Sequence, residues 1–109
     1  MRQRSWLIVF LLTFTIINYP NPFNPKGGQT VTFECTADTT FESTLYIYNL
    51  GAEKIFSRSV TINAGKTYLT WNGYSFANEQ IGNGAYLYRL VDLTSRSPVG
   101  KGKILVINQ

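Results

Sequence analysis

Six carboxylates, one thiol and no histidine are a thin supply of bases and metal ligands for a 109-residue chain. The acids are Glu34, Asp38, Glu42, Glu53, Glu79 and Asp92, and no two stand within three positions of each other. A calcium loop needs several oxygens closely spaced, which this scatter does not supply. A hydrolytic triad needs a base, and imidazole is absent. A glycosidase needs two carboxylates facing each other across about 5–10 Å, an arrangement that dispersed acids leave unsupported. Cys35 stands alone, so it forms no internal disulfide and no Cys/His zinc site. It is in phase with Val31 and Phe33, and no base or cation is spaced to activate it. It therefore reads as a core residue and not as a reactive thiol. The expectation is a chain that is not an enzyme and holds no metal or cofactor.

Recognition chemistry is what remains. Tyr46, Tyr48, Tyr68 and Tyr74 would make an aromatic strip suited to a partner or a glycan if their faces met in one sheet, although cross-strand tyrosine pairs also simply stabilise sheets. Trp71 could stack on a sugar, but it is in phase with Leu69 and reads as core. Ten Lys and Arg against six acids give a net charge of +4. Two of those cations, Arg2 and Arg4, sit at the very start, and no basic cluster interleaves with the aromatics. So weak an excess predicts no nucleic-acid partner.

These side chains need a scaffold, and the composition allows one. Hydrophobic residues are 44% of the chain and charged residues 15%, with two Trp, seven Tyr and seven Phe to fill a single core. That excludes a disordered chain and fits one domain. The first five residues carry Arg2 and Arg4 and no acid, and residues 6–17 are uncharged. Twelve apolar-rich residues fall short of the roughly 20 that span a bilayer and suit the core of an export signal. No small-x-small cleavage site follows, and residues 14–17 also suit a first strand. The division expected is a hydrophobic N-terminal segment over 1–17, overlapping that strand, and a β module over 18–109. Residues 14–17 are expected as an edge strand or as the continuation of a helix into it, residues 6–17 as a possible membrane contact, and residues 1–5 as unpacked.

Beyond residue 18 the punctuation is that of an all-β chain. Three of the prolines, Pro20, Pro22 and Pro25, fall within six positions and forbid a helix. Residues 30–36 alternate strictly, with Val31, Phe33 and Cys35 on one face and Thr32, Glu34 and Thr36 on the other. Further strands are expected over 44–50, 54–62, 67–71, 84–93 and 103–107, with a short one around Tyr19. Gly51 and Ala52 turn the first hairpin, and Asn72 to Asn83 forms the longest loop, with Gly73, Asn78, Gly82 and Asn83 able to take positive φ. The strand over 84–93 carries large residues on both faces, which suggests a central place. About seven strands in this length predict an immunoglobulin-like β-sandwich, with a small barrel as the alternative. Val31, Phe33, Leu45, Ile47, Leu69, Trp71, Tyr86, Tyr88 and Ile104 are the expected core, with Trp71 near its centre.

Five blocks in order carry a family resemblance. They are Asn18-Tyr19-Pro20-Asn21-Pro22-Phe23-Asn24-Pro25; Leu45-Tyr46-Ile47-Tyr48-Asn49-Leu50; Ala64-Gly65 leading to Trp71-Asn72-Gly73; Asn83-Gly84-Ala85-Tyr86-Leu87-Tyr88-Arg89-Leu90; and Lys103-Ile104-Leu105-Val106. Over residues 18–109 the chain resembles the FlgD Ig-like module and is similar to the C-terminal sorting domains of type IX secretion cargo. The family's turn glycine falls one position after Gly51, at Ala52, and Asn78 stands where a glycine is usual. The acids that commonly follow the tryptophan block are missing.

The resemblance implies a bacterial, exported, non-catalytic β-sandwich for secretion sorting or cell-surface attachment, forming the C-terminal tail of a larger cargo. Its partner would be secretion machinery or a cell-surface component. A structural Ig-like adaptor in an extracellular assembly, or a small carbohydrate-binding or adhesin-like domain, is the alternative. The interaction candidates are Asn18, Tyr19, Pro20, Asn21, Pro22, Gly84, Tyr86, Lys101 and Lys103. Each has a plainer reading. The proline-rich opening would be a rigid lead-in strand whose prolines guard a sheet edge, and the two lysines would guard another.

Overall fold

The computed structural model describes residues 13–109. Residues 1–12, with the charged start and most of the apolar run read as an export signal, lie outside the described residues. Seven strands follow: β1 (Phe14–Tyr19), β2 (Val31–Ala37), β3 (Phe41–Asn49), β4 (Lys54–Ile62), β5 (Gly65–Trp71), β6 (Gly84–Asp92) and β7 (Pro98–Val106). They form a three-stranded sheet ordered β1-β2-β5 and a four-stranded sheet ordered β4-β3-β6-β7. Every strand pair is antiparallel. The chain is an immunoglobulin-like β-sandwich, and among the described residues there is no helix.

The period-two pattern decides which face of each strand is inward. Val31, Phe33, Cys35 and Ala37 are buried on β2, as are Leu45 and Ile47 on β3, while the residues between them are half-buried. Leu69 and Trp71 complete the inner face of the first sheet. Val60, Ile62, Tyr88, Leu90, Ile104 and Val106 complete that of the second. Rings interlock between the layers: Phe33 meets Tyr88 edge-on at 4.8 Å, and Trp71 lies between Phe23 at 6.2 Å and Phe56 at 5.6 Å. Trp71 is thus core, and its indole N–H is satisfied by the Tyr74 carbonyl at 3.0 Å. Ser43, the buried polar side chain of β3, donates to the Val60 carbonyl. Burial lifts the Cys35 thiol to about 11, which keeps it protonated and inert.

β1 is the outer strand of its sheet, pairing residue for residue with β2 from Phe14↔Ala37 to Tyr19↔Thr32. Residues 14–17 are therefore an edge strand of the sandwich, where the resembled family has an apolar strand. β6 is interior to its sheet but buries one face only, because Leu87 and Arg89 point to solvent. Tyr86 is half-buried, packed against the core and not within it, with its hydroxyl held outward by the Gly82 carbonyl. β7 starts at Pro98, five residues before the strand expected there. Its first half shows no apolar alternation because Gly100 and Gly102 occupy the inward positions. A Cβ on Gly100 would meet Ile16 Cγ2 at 2.7 Å and Phe14 Cε2 at 2.8 Å, and one on Gly102 would meet the Tyr88 hydroxyl. Side chains from β1 and β6 fill the volume that β7 leaves empty.

Candidate functional site

β1 and β7 are the outer strands of different sheets, and both lie on the same side of the sandwich. A bare strand edge offers unpaired N–H and C=O groups to any other chain. Here the segment following β1 folds across β7 and takes those groups. Asn18 Nδ2 donates to the Lys103 carbonyl at 3.0 Å, and Asn21 Nδ2 reaches the same oxygen at 3.5 Å. Asn21 Oδ1 accepts from the Leu105 N–H at 2.8 Å. The Phe23 N–H donates to the Leu105 carbonyl at 2.8 Å, and the Ile107 N–H donates to the Phe23 carbonyl at 3.0 Å. Phe23 itself is fully buried. The Tyr88 hydroxyl, passing over Gly102, donates to Asn18 Oδ1 at 3.1 Å, so β6, β7 and β1 meet at one amide. Burial pushes the Tyr88 hydroxyl up to about 12.

Of the candidate residues, Asn18, Asn21 and Lys103 are thus brought together, with Lys103 contributing its carbonyl. Two asparagine amides and the Phe23 backbone cover β7, a task first assigned to the prolines. Pro20 and Pro22 hold the segment between them, each preceded by a cis peptide bond. Tyr19 points to the other face of β1 and donates to Glu34 Oε1 at 3.1 Å. Glu34 also pairs with Lys66 at 3.0 Å, and that ammonium holds its carboxyl below the usual range. Gly84 opens β6 with φ 143°, opposite Val106 of β7. Tyr86, two residues on, donates to the Gly82 carbonyl at 2.9 Å. A tyrosine at the start of this strand bonded to backbone a few residues upstream is a corner device of Ig-like sandwiches.

Lys101 and Lys103 are exposed on an edge strand, as expected, and their side chains point to the outer face of the four-stranded sheet. There the tyrosine strip divides. Tyr46 and Tyr48 stack on β3 with centroids 6.1 Å apart, whereas Tyr68 belongs to the other sheet and Tyr74 to the long loop. Lys54 lies 5.4 Å above the Tyr46 ring and Arg89 lies 5.6 Å above the Tyr48 ring. Sequence reasoning missed Arg89 and Leu87 as neighbours of the lysines, and missed Phe23 as core. Only the strand register joins the former, and the surrounding prolines disguised the latter. Among the described residues no three Asp, Glu or Cys gather as a metal site would require.

No family model matches the chain, and no curated protein matches its sequence. Solved structures do share its shape. Dimeric latent PorU from Porphyromonas gingivalis matches 97% of the chain with a TM-score of 0.76 and 23% identity. The chain spans about 10% of the length of PorU. A β-glucosidase from Listeria innocua, seen with isofagomine, matches 90% of this chain at a TM-score of 0.45 and 13% identity, over 16% of its own length. DesR, a β-glucosidase from Streptomyces venezuelae, matches 88% at 0.43 and 15%, over 15% of its length. The PorU likeness extends to the whole set of strands and establishes the fold. The β-glucosidase likenesses are too loose to add to it.

Proposed function

We propose that this chain is a non-catalytic β-sandwich module of an exported bacterial protein, serving secretion sorting or cell-surface attachment in a type IX setting. The observation that carries this reading is the clasp. The Asn-Tyr-Pro-Asn-Pro-Phe block, the most distinctive part of the family resemblance, makes a sandwich whose outer strand is sealed by its own side chains. Such a module can travel at the end of another protein without pairing edge to edge with its neighbours. The likeness to PorU is one of shape, and there a sandwich of this kind is a small part of a long chain, as a module carried by another protein would be. The dispersed acids and the absence of histidine favour recognition over catalysis. Lys101, Lys103 and the outer face beside them are the surface left for a partner.

A transplant tests this. Residues 13–109, fused behind a reporter that has its own export signal, should bring the reporter to the cell surface in a host with a type IX apparatus. Retention in the periplasm, with the fusion folded, would overturn the reading.

A further inference from the structure

The outer face of the four-stranded sheet gathers Arg89, Lys101 and Lys103 at one end, while its acid, Glu42, stands at the start of β3 and accepts from the Thr61 hydroxyl. Register places Tyr46 beside Arg89 and Arg89 beside Lys101, and in the next row Tyr48 beside Leu87 and Leu87 beside Lys103. Lys103 and Leu105 turn their backbone groups away from β6, toward the clasp. Arg89 and Lys101 are therefore a non-hydrogen-bonded pair, the kind in which facing side chains stand closest. Like charges directly opposite each other destabilise a sheet. No acid stands beside them: the groove of about 730 Å³ lined by Tyr48, Leu87, Arg89, Lys101 and Lys103 has no acid in its wall, and Glu42, the acid of this face, lies four residues before Tyr46 on β3. Among the described residues the one ion pair, Lys66 with Glu34, lies on the opposite sheet.

We propose that this groove binds an acidic oligosaccharide, with carboxylates of uronate-type sugars held by Arg89, Lys101 and Lys103 and sugar rings set against Tyr48 and Leu87. The charge calls for an anion, and Arg89 can take a carboxylate through two parallel N–H bonds. The volume is that of a small-ligand cleft. Protein interfaces are depleted in lysine and centre on buried apolar anchors, whereas here two lysines flank a half-exposed Leu87. Tyrosine rings with exposed edges offer both apolar contact and hydroxyls to a sugar. The inference rests on the surface-attachment reading and names what the module would hold.

Titration of the full chain at low ionic strength, followed by calorimetry and amide chemical shifts, decides it. Pentagalacturonate should bind saturably and shift Tyr46, Tyr48, Leu87, Arg89, Lys101 and Lys103. Cellopentaose, and a pentaglutamate of equal charge, should bind at least about tenfold more weakly. Lys101→Glu turns the like-charged pair into an opposite one. It should lose at least about tenfold in affinity while the melting temperature holds or rises, a combination that misfolding cannot give. If that variant melts lower, Arg89→Gln must show the same loss of binding, and Lys66→Ala must bind as the parent does. Absence of saturable binding, equal binding of pentaglutamate, or full affinity in Lys101→Glu or Arg89→Gln overturns the proposal. The transplant and the titration fail independently: a chain that binds pentagalacturonate but does not carry a reporter outward loses the sorting role alone.

Discussion

The sandwich has two lateral seams, and they are closed by different means. On the β1–β7 side, Asn18, Asn21, Phe23 and Tyr88 bind backbone groups of β7 and one another, and Gly100 and Gly102 let neighbouring side chains sink in. On the β5–β4 side, the Phe56 ring packs against Trp71, the Phe76 N–H of the long loop donates to the Ile55 carbonyl at 3.0 Å, and the Arg58 guanidinium donates to the Thr70 carbonyl at 3.2 Å from an exposed position. The first seam joins strands far apart in the chain and is anchored by a fully buried ring. The second joins strands that already follow each other through a tight turn. The sequence block that looks most like a recognition motif is thus invested in closing the fold. The groove proposed above lies elsewhere, on the outer face of the four-stranded sheet, where Arg89 and Leu87 join the two lysines.

The contrast breaks most sharply at Phe23. Its ring is sealed against Trp71 and leaves a large void on truncation. Phe23→Ala should cost about 3–5 kcal/mol, enough to unfold much of a domain this small. Trp71→Ala should cost as much. Denaturant melts that match the parent would show that the clasp is not part of the core.

Alkali tests the same seam without mutation. Folded Tyr88 holds its proton up to about 12, against 10.0 for an ordinary tyrosine, chiefly because of burial. Between those values the unfolded chain releases a proton that the folded chain keeps. The stabilisation is fully present below pH 10 and fades as pH rises toward 12. Its full size is on the order of 2–3 kcal/mol. Cys35, raised from 9.0 to about 11, adds a loss of the same sign starting one unit lower. Tyr88→Phe should flatten the fall in melting temperature above pH 10, and an unchanged slope would count against a buried hydroxyl in the seam.

Asn21 and Arg58 then set the two seams side by side. Asn18→Ala strands the buried Tyr88 hydroxyl and should cost about 1–3 kcal/mol, and Asn21→Ala, which frees the Leu105 N–H at an exposed position, about 0.5–1.5 kcal/mol. Arg58→Ala should stay within about 0.5 kcal/mol, as exposed positions do. Equal costs in chemical denaturation would erase the distinction.

How much of this was legible depends on whether the signal was local. β2, the β3–β4 hairpin and the core role of Trp71 follow from alternation within a few residues, while the edge strand at 14–17 follows from where the resembled family has an apolar strand. The first half of β7 was hidden because its inward positions are glycines, filled by Phe14, Ile16 and Tyr88 from elsewhere. Phe23 was hidden because prolines on either side read as loop, though its backbone bridges to Val106. The basic face was hidden because Arg89 and Lys101 become neighbours only through β6–β7 register. Of the candidate site, the asparagines and lysines could be named from sequence, but not which of them touch.

The smallest effect sits in the β3–β4 turn, where the chain departs from the family it resembles. Asn49 organises this turn, its Oδ1 accepting from the Gly51 and Glu53 N–H groups at 3.0 and 2.9 Å. The turn then requires a left-handed residue at position 52, and Ala52 adopts φ 67° to supply it. A Cβ in that region crowds the following carbonyl and costs about 1–2 kcal/mol, while glycine pays no such penalty. Glycine gains some backbone freedom in the unfolded chain, which offsets part of the relief. Ala52→Gly should therefore stabilise the protein by up to about 1 kcal/mol. Gly51 has no such φ, so Gly51→Ala should leave this strain in place and confer no matching gain. Ala52 also lines the edge of the groove beside Tyr48, and glycine there removes one methyl without touching a cation. A melt that rises while pentagalacturonate affinity is unchanged would separate the turn, which serves folding, from the face beside it. A melt that falls would mean that the Asn49 bonds, and not the backbone conformation at Ala52, dominate the hairpin.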